Sequence, residues 1–200
     1  MSSSHRSPRW TVSRLTWLVV LALCAPLAQV TAAFADDVTG TVTISGGLLE
    51  MSASTGPNFG TVGASLLPIG TTVGPVSIPI EVTDMRGTGA GWNLQITSTQ
   101  FTTGGADPHT LPTTATKVFA VIGGCASGSL CIPAVPATLA LPVTVPAGLS
   151  APAPVKFFSA LVPTGRGEMV LNPSFTLDVP ANAFAGTYTS TMTITIAAGP

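Results

Sequence analysis

Few residues in this 200-residue chain could do chemistry, and the most informative group lies in one stretch, D-M-R-G-T-G-A-G-W-N-L from Asp84 to Leu94. A carboxylate and a guanidinium, Asp84 and Arg86, open it. Gly87, Gly89 and Gly91 follow at alternate positions, then Trp92 and Leu94. A glycine-rich loop can cradle phosphate, but that site needs the N-terminus of a helix, and no helical period follows Trp92. The charged pair has two possible roles. One is direct contact with a ligand. The other is an internal cap, in which Asp84 accepts loop N–H bonds and Arg86 makes an exposed ion pair of little energetic weight. Trp92 has two roles as well. It can pack in a core with its indole N–H on a backbone carbonyl, or stand partly exposed and stack on a sugar ring.

Other reactive residues are thinly spread. A Ser-His-Asp or Cys-His system would have to use His109, in the irregular segment A-D-P-H-T. A carboxylate pair for glycoside hydrolysis could come from Glu81, Asp84, Glu168 and Asp178. Glu81 and Asp84 fall on opposite faces of a regular strand, because positions three apart alternate. Cys125 and Cys131 enclose A-S-G-S-L and read as a short disulfide-closed loop. A metal site would need more ligands than two thiols, and His109 is the only histidine after residue 35. The reading is a non-enzyme with no cofactor and no metal.

The elements that must position these residues are strands. Val76, Ile78, Ile80 and Val82 alternate before the glycine loop, and Trp92, Leu94 and Ile96 after it, which predicts a β-hairpin. Val38, Gly40, Val42 and Ile44 alternate with threonines, and Leu49, Met51 and Ala53 follow a Gly46-Gly47 turn. Val118–Ile122 reads as a short, fully buried strand. Leu139, Leu141, Val143 and Val145 form another, placed at an edge by Pro142, which cannot donate to a ladder. Val155–Leu161 and Phe175–Val179 add two more. The last strand sets Tyr188, Ser190, Met192, Ile194 and Ile196 on one face and Thr189, Thr191, Thr193 and Thr195 on the other. The fold class is all-β: a single antiparallel β-sandwich, Ig-like or Greek-key in type, of roughly nine or ten short strands. Prolines 79, 142 and 180 are placed to blunt its edges.

The first 35 residues stand apart. Arg6, Arg9 and Arg14 precede an apolar core, and Ala33-Phe34-Ala35 gives a small-x-small cleavage pattern. This predicts a secretory signal peptide (residues 1–35) and a mature domain (36–200) beginning at Asp36. The apolar run, broken by Pro26 and Gln29, is shorter than the ~20 residues of a spanning helix. Removing three of the seven Lys+Arg leaves four against eight Asp+Glu, a balance of −4. A weakly acidic, charge-poor surface argues against nucleic acid and anionic lipid.

Val82 to Leu94 meets the pattern V-x-D-x-R-G-x-G-x-G-W-x-L, and this run resembles the first motif of the WxL family. The end, A-G-T-Y-T-S-T-M-T-I-T-I from Ala185 to Ile196, is similar to the family's second motif in layout, with Ile194 and Ile196 where a second tryptophan and leucine would stand. The resemblance implies a secreted surface protein held non-covalently on the bacterial cell wall. Peptidoglycan or another wall glycan would be its ligand, and other surface proteins would be further partners. It implies a binding role for Asp84, Arg86, Gly87, Gly89, Gly91, Trp92 and Leu94, with Tyr188, Ile194 and Ile196 as the second motif. Two other classes stay open: a subunit of a surface assembly joined by strand addition, and a secreted hydrolase.

Overall fold

Apolar alternation with few charges produces strands here wherever a partner is available. The computed structural model describes residues 41–53, 55–63 and 70–200. Eleven strands form: β1 (Leu49–Ala53), β2 (Thr71–Ser77), β3 (Ile80–Asp84), β4 (Trp92–Thr99), β5 (Thr116–Cys125), β6 (Cys131–Ile132), β7 (Val143–Thr144), β8 (Ala147–Gly148), β9 (Val155–Ala160), β10 (Arg166–Val179) and β11 (Met192–Ala198). No helix occurs among the described residues. The strands build two sheets. The larger runs β1-β3-β10-β5-β7, with β2 and β6 also on β10, and the smaller runs β11-β4-β8, with β9 also on β4. Only β8 pairs parallel. This is the expected all-β sandwich, and the two-residue pieces β6, β7 and β8 raise the strand count above nine or ten.

The core lies between the sheets. β3 sends in Ile80 and Val82, β4 Trp92, Leu94 and Ile96, β9 Phe157 and Phe158, and β10 Met169, Leu171 and Phe175. β10 is the long axis of the larger sheet. β3 pairs with its first half and β2 with its second, and the break between them falls at Pro79. Pro79 therefore interrupts a path inside the sheet rather than blunting an edge. Pro180 directly follows the last residue of β10. Pro142 does stand beside an edge, because β7 ends the sheet order.

Several strands differ from expectation for identifiable reasons. β3 and β4 do not form a hairpin. β3 belongs to the larger sheet and β4 to the smaller, so the glycine loop is an arch that crosses the sandwich. Residues 41–48 form no strand, with Val42 and Ile44 85% and 86% exposed, because no neighbouring strand receives their alternation. Val38 and Gly40, like the expected signal peptide, lie outside the described residues. Val118–Ile122 is not fully buried, since only one face of β5 meets the core and Phe119 and Ile122 are exposed. Of the Leu139–Val145 strand only Val143–Thr144 pairs. The last strand starts at Met192 rather than Tyr188. From there the expected alternation holds, with Ile194 opposite Ile96, Ile196 opposite Leu94, and the threonines outside.

Candidate functional site

Asp84 is the last residue of β3 and is only 3% exposed. Its carboxylate accepts from Arg86 Nε and Nη2, each at 2.8 Å, and from the Arg86 backbone N–H at 3.2 Å. Arg86 Nη2 also donates to the Gly91 carbonyl at 2.8 Å. One guanidinium thus ties the start of the arch to its end. The cap is present, but the ion pair is not exposed: the side chains of Arg86 and Asp84 are 17% and 1% accessible. Screening is weak there, and a two-point Arg–carboxylate bond counts for far more than a surface pair. The hydrogen bonds from Arg86 hold the Asp84 carboxyl below its usual range against the opposing effect of burial, and Arg166 adds a second positive charge. Asp84 in turn raises the Arg86 pKa.

The glycines make the arch passable. Gly87, Gly89 and Gly91 all hold left-handed φ (72°, 63° and 70°), which side-chain-bearing residues rarely adopt. Trp92 then enters the core fully buried, packed on Phe158 with ring centroids 5.4 Å apart. Its indole N–H donates to the Gly165 carbonyl at 2.7 Å. A Cβ on Gly165 would come within 2.7 Å of that nitrogen, so the β9–β10 turn is shaped around the indole. The core role of Trp92 holds, and no exposed ring face is left for a sugar. Farther along the chain, Gly199 N–H donates to the Gly91 carbonyl at 3.1 Å, and Asn93 Nδ2 donates to the Gly199 carbonyl at 2.7 Å. The motif is a clasp that joins the two sheets, the β9–β10 turn and the end of β11.

The other candidate residues are dispersed. Asp178 accepts from Lys117 at 2.7 Å and Thr72 at 2.6 Å, and those bonds lower its pKa. Exposed Glu168 accepts from Ser129 inside the cysteine loop. Glu81 faces solvent while Asp84, three residues on, faces in. Cys125 and Cys131 are joined, with Cα atoms 5.6 Å apart. Their bond links the end of β5 to β6, both of which lie against β10. His109 stacks on Phe184, with centroids 3.9 Å apart and rings 9° from parallel.

That stack borders a groove of about 920 Å³. It lies at the far end of β4 from the clasp, about 24 Å of extended chain away. Phe59, Phe101, Leu111, Phe184 and Tyr188 line it. Beneath it sits a small second core of Leu111, Ala115 and Leu177, separate from the main one. Phe59 and Phe101 meet edge to face at 6.2 Å, and the Tyr188 hydroxyl donates to the Phe184 carbonyl at 3.0 Å. Tyr188 therefore belongs to the groove and not to the last strand.

Residues 70–200 match a family described as WxL domain, surface cell wall-binding. The chain belongs to the WxL family. The match spans β2 to β11, and so contains both sheets and the whole clasp. No curated protein and no solved structure matches it. In this WxL domain the first motif is buried architecture. The second motif supplies Ile194 and Ile196 as half-buried partners of Ile96 and Leu94 on β4. Sequence reasoning did not find Arg166, Gly165, Phe59, Phe101 or Phe184. The three phenylalanines stand in irregular segments outside the alternation, and that placement was the available signal.

Proposed function

We propose that this protein is a secreted, non-enzymatic surface protein that associates non-covalently with peptidoglycan through its folded WxL domain. The family match over residues 70–200 carries the reading. The apolar N-terminal segment with its cleavage pattern supports export. Asp84, Arg86, Gly87, Gly89, Gly91, Trp92 and Leu94 serve binding by holding the two sheets in one shape, since Asp84, Arg86 and Trp92 each bond within the chain. Hydrolysis is disfavoured by the committed Asp84 and by Asp178, held by Lys117 and Thr72. The test is cosedimentation with purified peptidoglycan sacculi. The native protein should pellet with them, and Trp92→Ala, which removes about 3–5 kcal/mol of packing, should not. Equal pelleting by a melted Trp92→Ala protein would show that the folded domain is not the binding unit.

β11 favours a second reading, membership of a surface assembly built by strand addition. It ends the smaller sheet, and its seven residues M-T-I-T-I-A-A carry no charge and no proline, the features that usually protect an edge. Concentration-dependent oligomerisation, abolished by a lysine at Thr195, would support this reading.

A further inference from the structure

We propose that the aromatic groove at the end of the sandwich opposite the clasp is the glycan-binding site, and that it takes an uncharged N-acetylated sugar chain. The inference rests on the wall-binding reading and locates its contact surface. The clasp cannot supply that surface, because Trp92 and Asp84 are buried and bonded internally. The groove can. Its volume of about 920 Å³ suits a short run of sugar rings. Segments distant in sequence converge on it: 56–63 brings Phe59, Phe101 follows β4, and 183–192 brings Phe184 and Tyr188.

The chemistry of the lining selects the ligand. Among the described residues no Asp, Glu, Lys or Arg lines the groove, so these offer no counter-charge to an acidic or basic ligand. Aromatic faces accept the C–H faces of pyranose rings, and the half-buried Val179 side chain offers an apolar contact for the N-acetyl methyl. Around them stand Asn58, Thr61, Thr187 and Thr189, whose amide and hydroxyls can exchange hydrogen bonds with sugar hydroxyls. Phe184 is the clearest sign of an open platform. It stacks on His109 yet remains 63% exposed. Aromatic surface clustered at a concavity marks a contact site in a way that singly exposed side chains such as Leu130 and Leu149 do not.

The experiment measures two ligands on three proteins: sacculus cosedimentation and chitotetraose titration followed by amide chemical shifts, for the native protein, Phe184→Ala and Phe119→Ala. Phe119 is the control, 56% exposed on β5 and not part of the groove. Neither substitution touches the main core, so both variants should melt with the native protein. Phe184→Ala should weaken both interactions roughly tenfold, and Phe119→Ala less than about twofold. Shifts should centre on Phe59, Phe101, Leu111 and Tyr188. Sacculus binding unchanged in Phe184→Ala overturns the groove assignment and leaves the wall reading intact. Chitotetraose binding in the groove without sacculus binding keeps the groove as a glycan site and overturns the wall reading. Failure of the native protein to bind either ligand overturns both. Preference for a fatty acid or an uncharged peptide over the sugar overturns the ligand class.

Discussion

Trp92 and Asp84 are inaccessible, and their side chains bond within the chain. Replacing Trp92 with Phe keeps much of the ring volume but leaves the Gly165 carbonyl without the indole N–H that reaches it at 2.7 Å. The expected loss is about 1–3 kcal/mol, read from urea melts. Asp84→Asn should lose a comparable amount at neutral pH, since it leaves the Arg86 guanidinium facing a neutral partner in a shielded place. It should also change the acid limb of stability. The folded-state pKa of Asp84 is depressed, chiefly by hydrogen bonds from Arg86. Its stabilisation is therefore complete above the unfolded carboxyl value near 4 and disappears as pH falls through the lower folded value. Asp178, lowered by Lys117 and Thr72, acts in the same direction. Melts between about pH 5 and pH 2 should show a shallower decline for Asp84→Asn than for the native protein. Identical slopes would mean that the Arg86 bond does not discriminate between charge states. The chemistry of this pair was readable from Asp84 and Arg86 two positions apart. Its burial was not, because Arg166 and Gly165 reach the site from a strand some eighty residues away.

Alternation along an element states which residues share a face and is silent about which sheet the face belongs to. β3 and β4 were read as a hairpin for that reason, and they prove to be opposite walls of the sandwich. The connection held a clue: Met85–Gly91 is longer than the two to five residues common in hairpins. The same limit applies to Val42 and Ile44, which alternate as cleanly as Ile194 and Ile196 but lack a partner. Within β11 the reading of faces was sound, and it makes a prediction. Ile194 packs toward the core opposite Ile96, while Thr193 is exposed. Ile194→Asp should cost roughly 2–4 kcal/mol, less than for a fully buried site because β11 is an edge, and Thr193→Asp within about 0.5 kcal/mol. Equal losses would refute the register. The cysteine loop joins two elements with little stabilisation. A closed loop this small is worth about 2 kcal/mol in the chain-entropy view, so the Cys125→Ser/Cys131→Ser protein should fold with a lowered melting temperature.

At the scale of the whole molecule, the family match and the fold begin at different places. The match starts at residue 70, whereas β1, Leu49–Ala53, already belongs to the larger sheet. β1 covers one edge of β3, with Met51 opposite Val82, and both Leu49 and Met51 pack on the core. Just before it, Gly47 N–H donates to the Met85 carbonyl at 2.7 Å and Met85 N–H to the Leu48 carbonyl at 3.0 Å, which anchors the chain beside the clasp. Upstream of that anchor Val42 and Ile44 are exposed. Two truncations therefore separate what the domain needs from what it carries. A protein beginning at Gly46 should melt within about 0.5 kcal/mol of one beginning at Asp36, because the residues removed give up no buried area at the described positions. A protein beginning at Gly70 keeps every residue of the family match but bares the Val82 edge and loses Leu49, Met51 and Phe59 from the core. It should be several kcal/mol less stable, a large share of a domain's margin, and should pellet poorly with sacculi even where it stays folded, because it also lacks residues 56–63 of the groove. Thermal melts and cosedimentation on the same samples decide the matter. If the chain from Gly70 melts with the longer ones, β1 and the Phe59 segment are dispensable and the matched region is the complete folding unit. If it melts early while the chain from Gly46 does not, the folding unit begins between Gly46 and Gly70, upstream of where the family match begins.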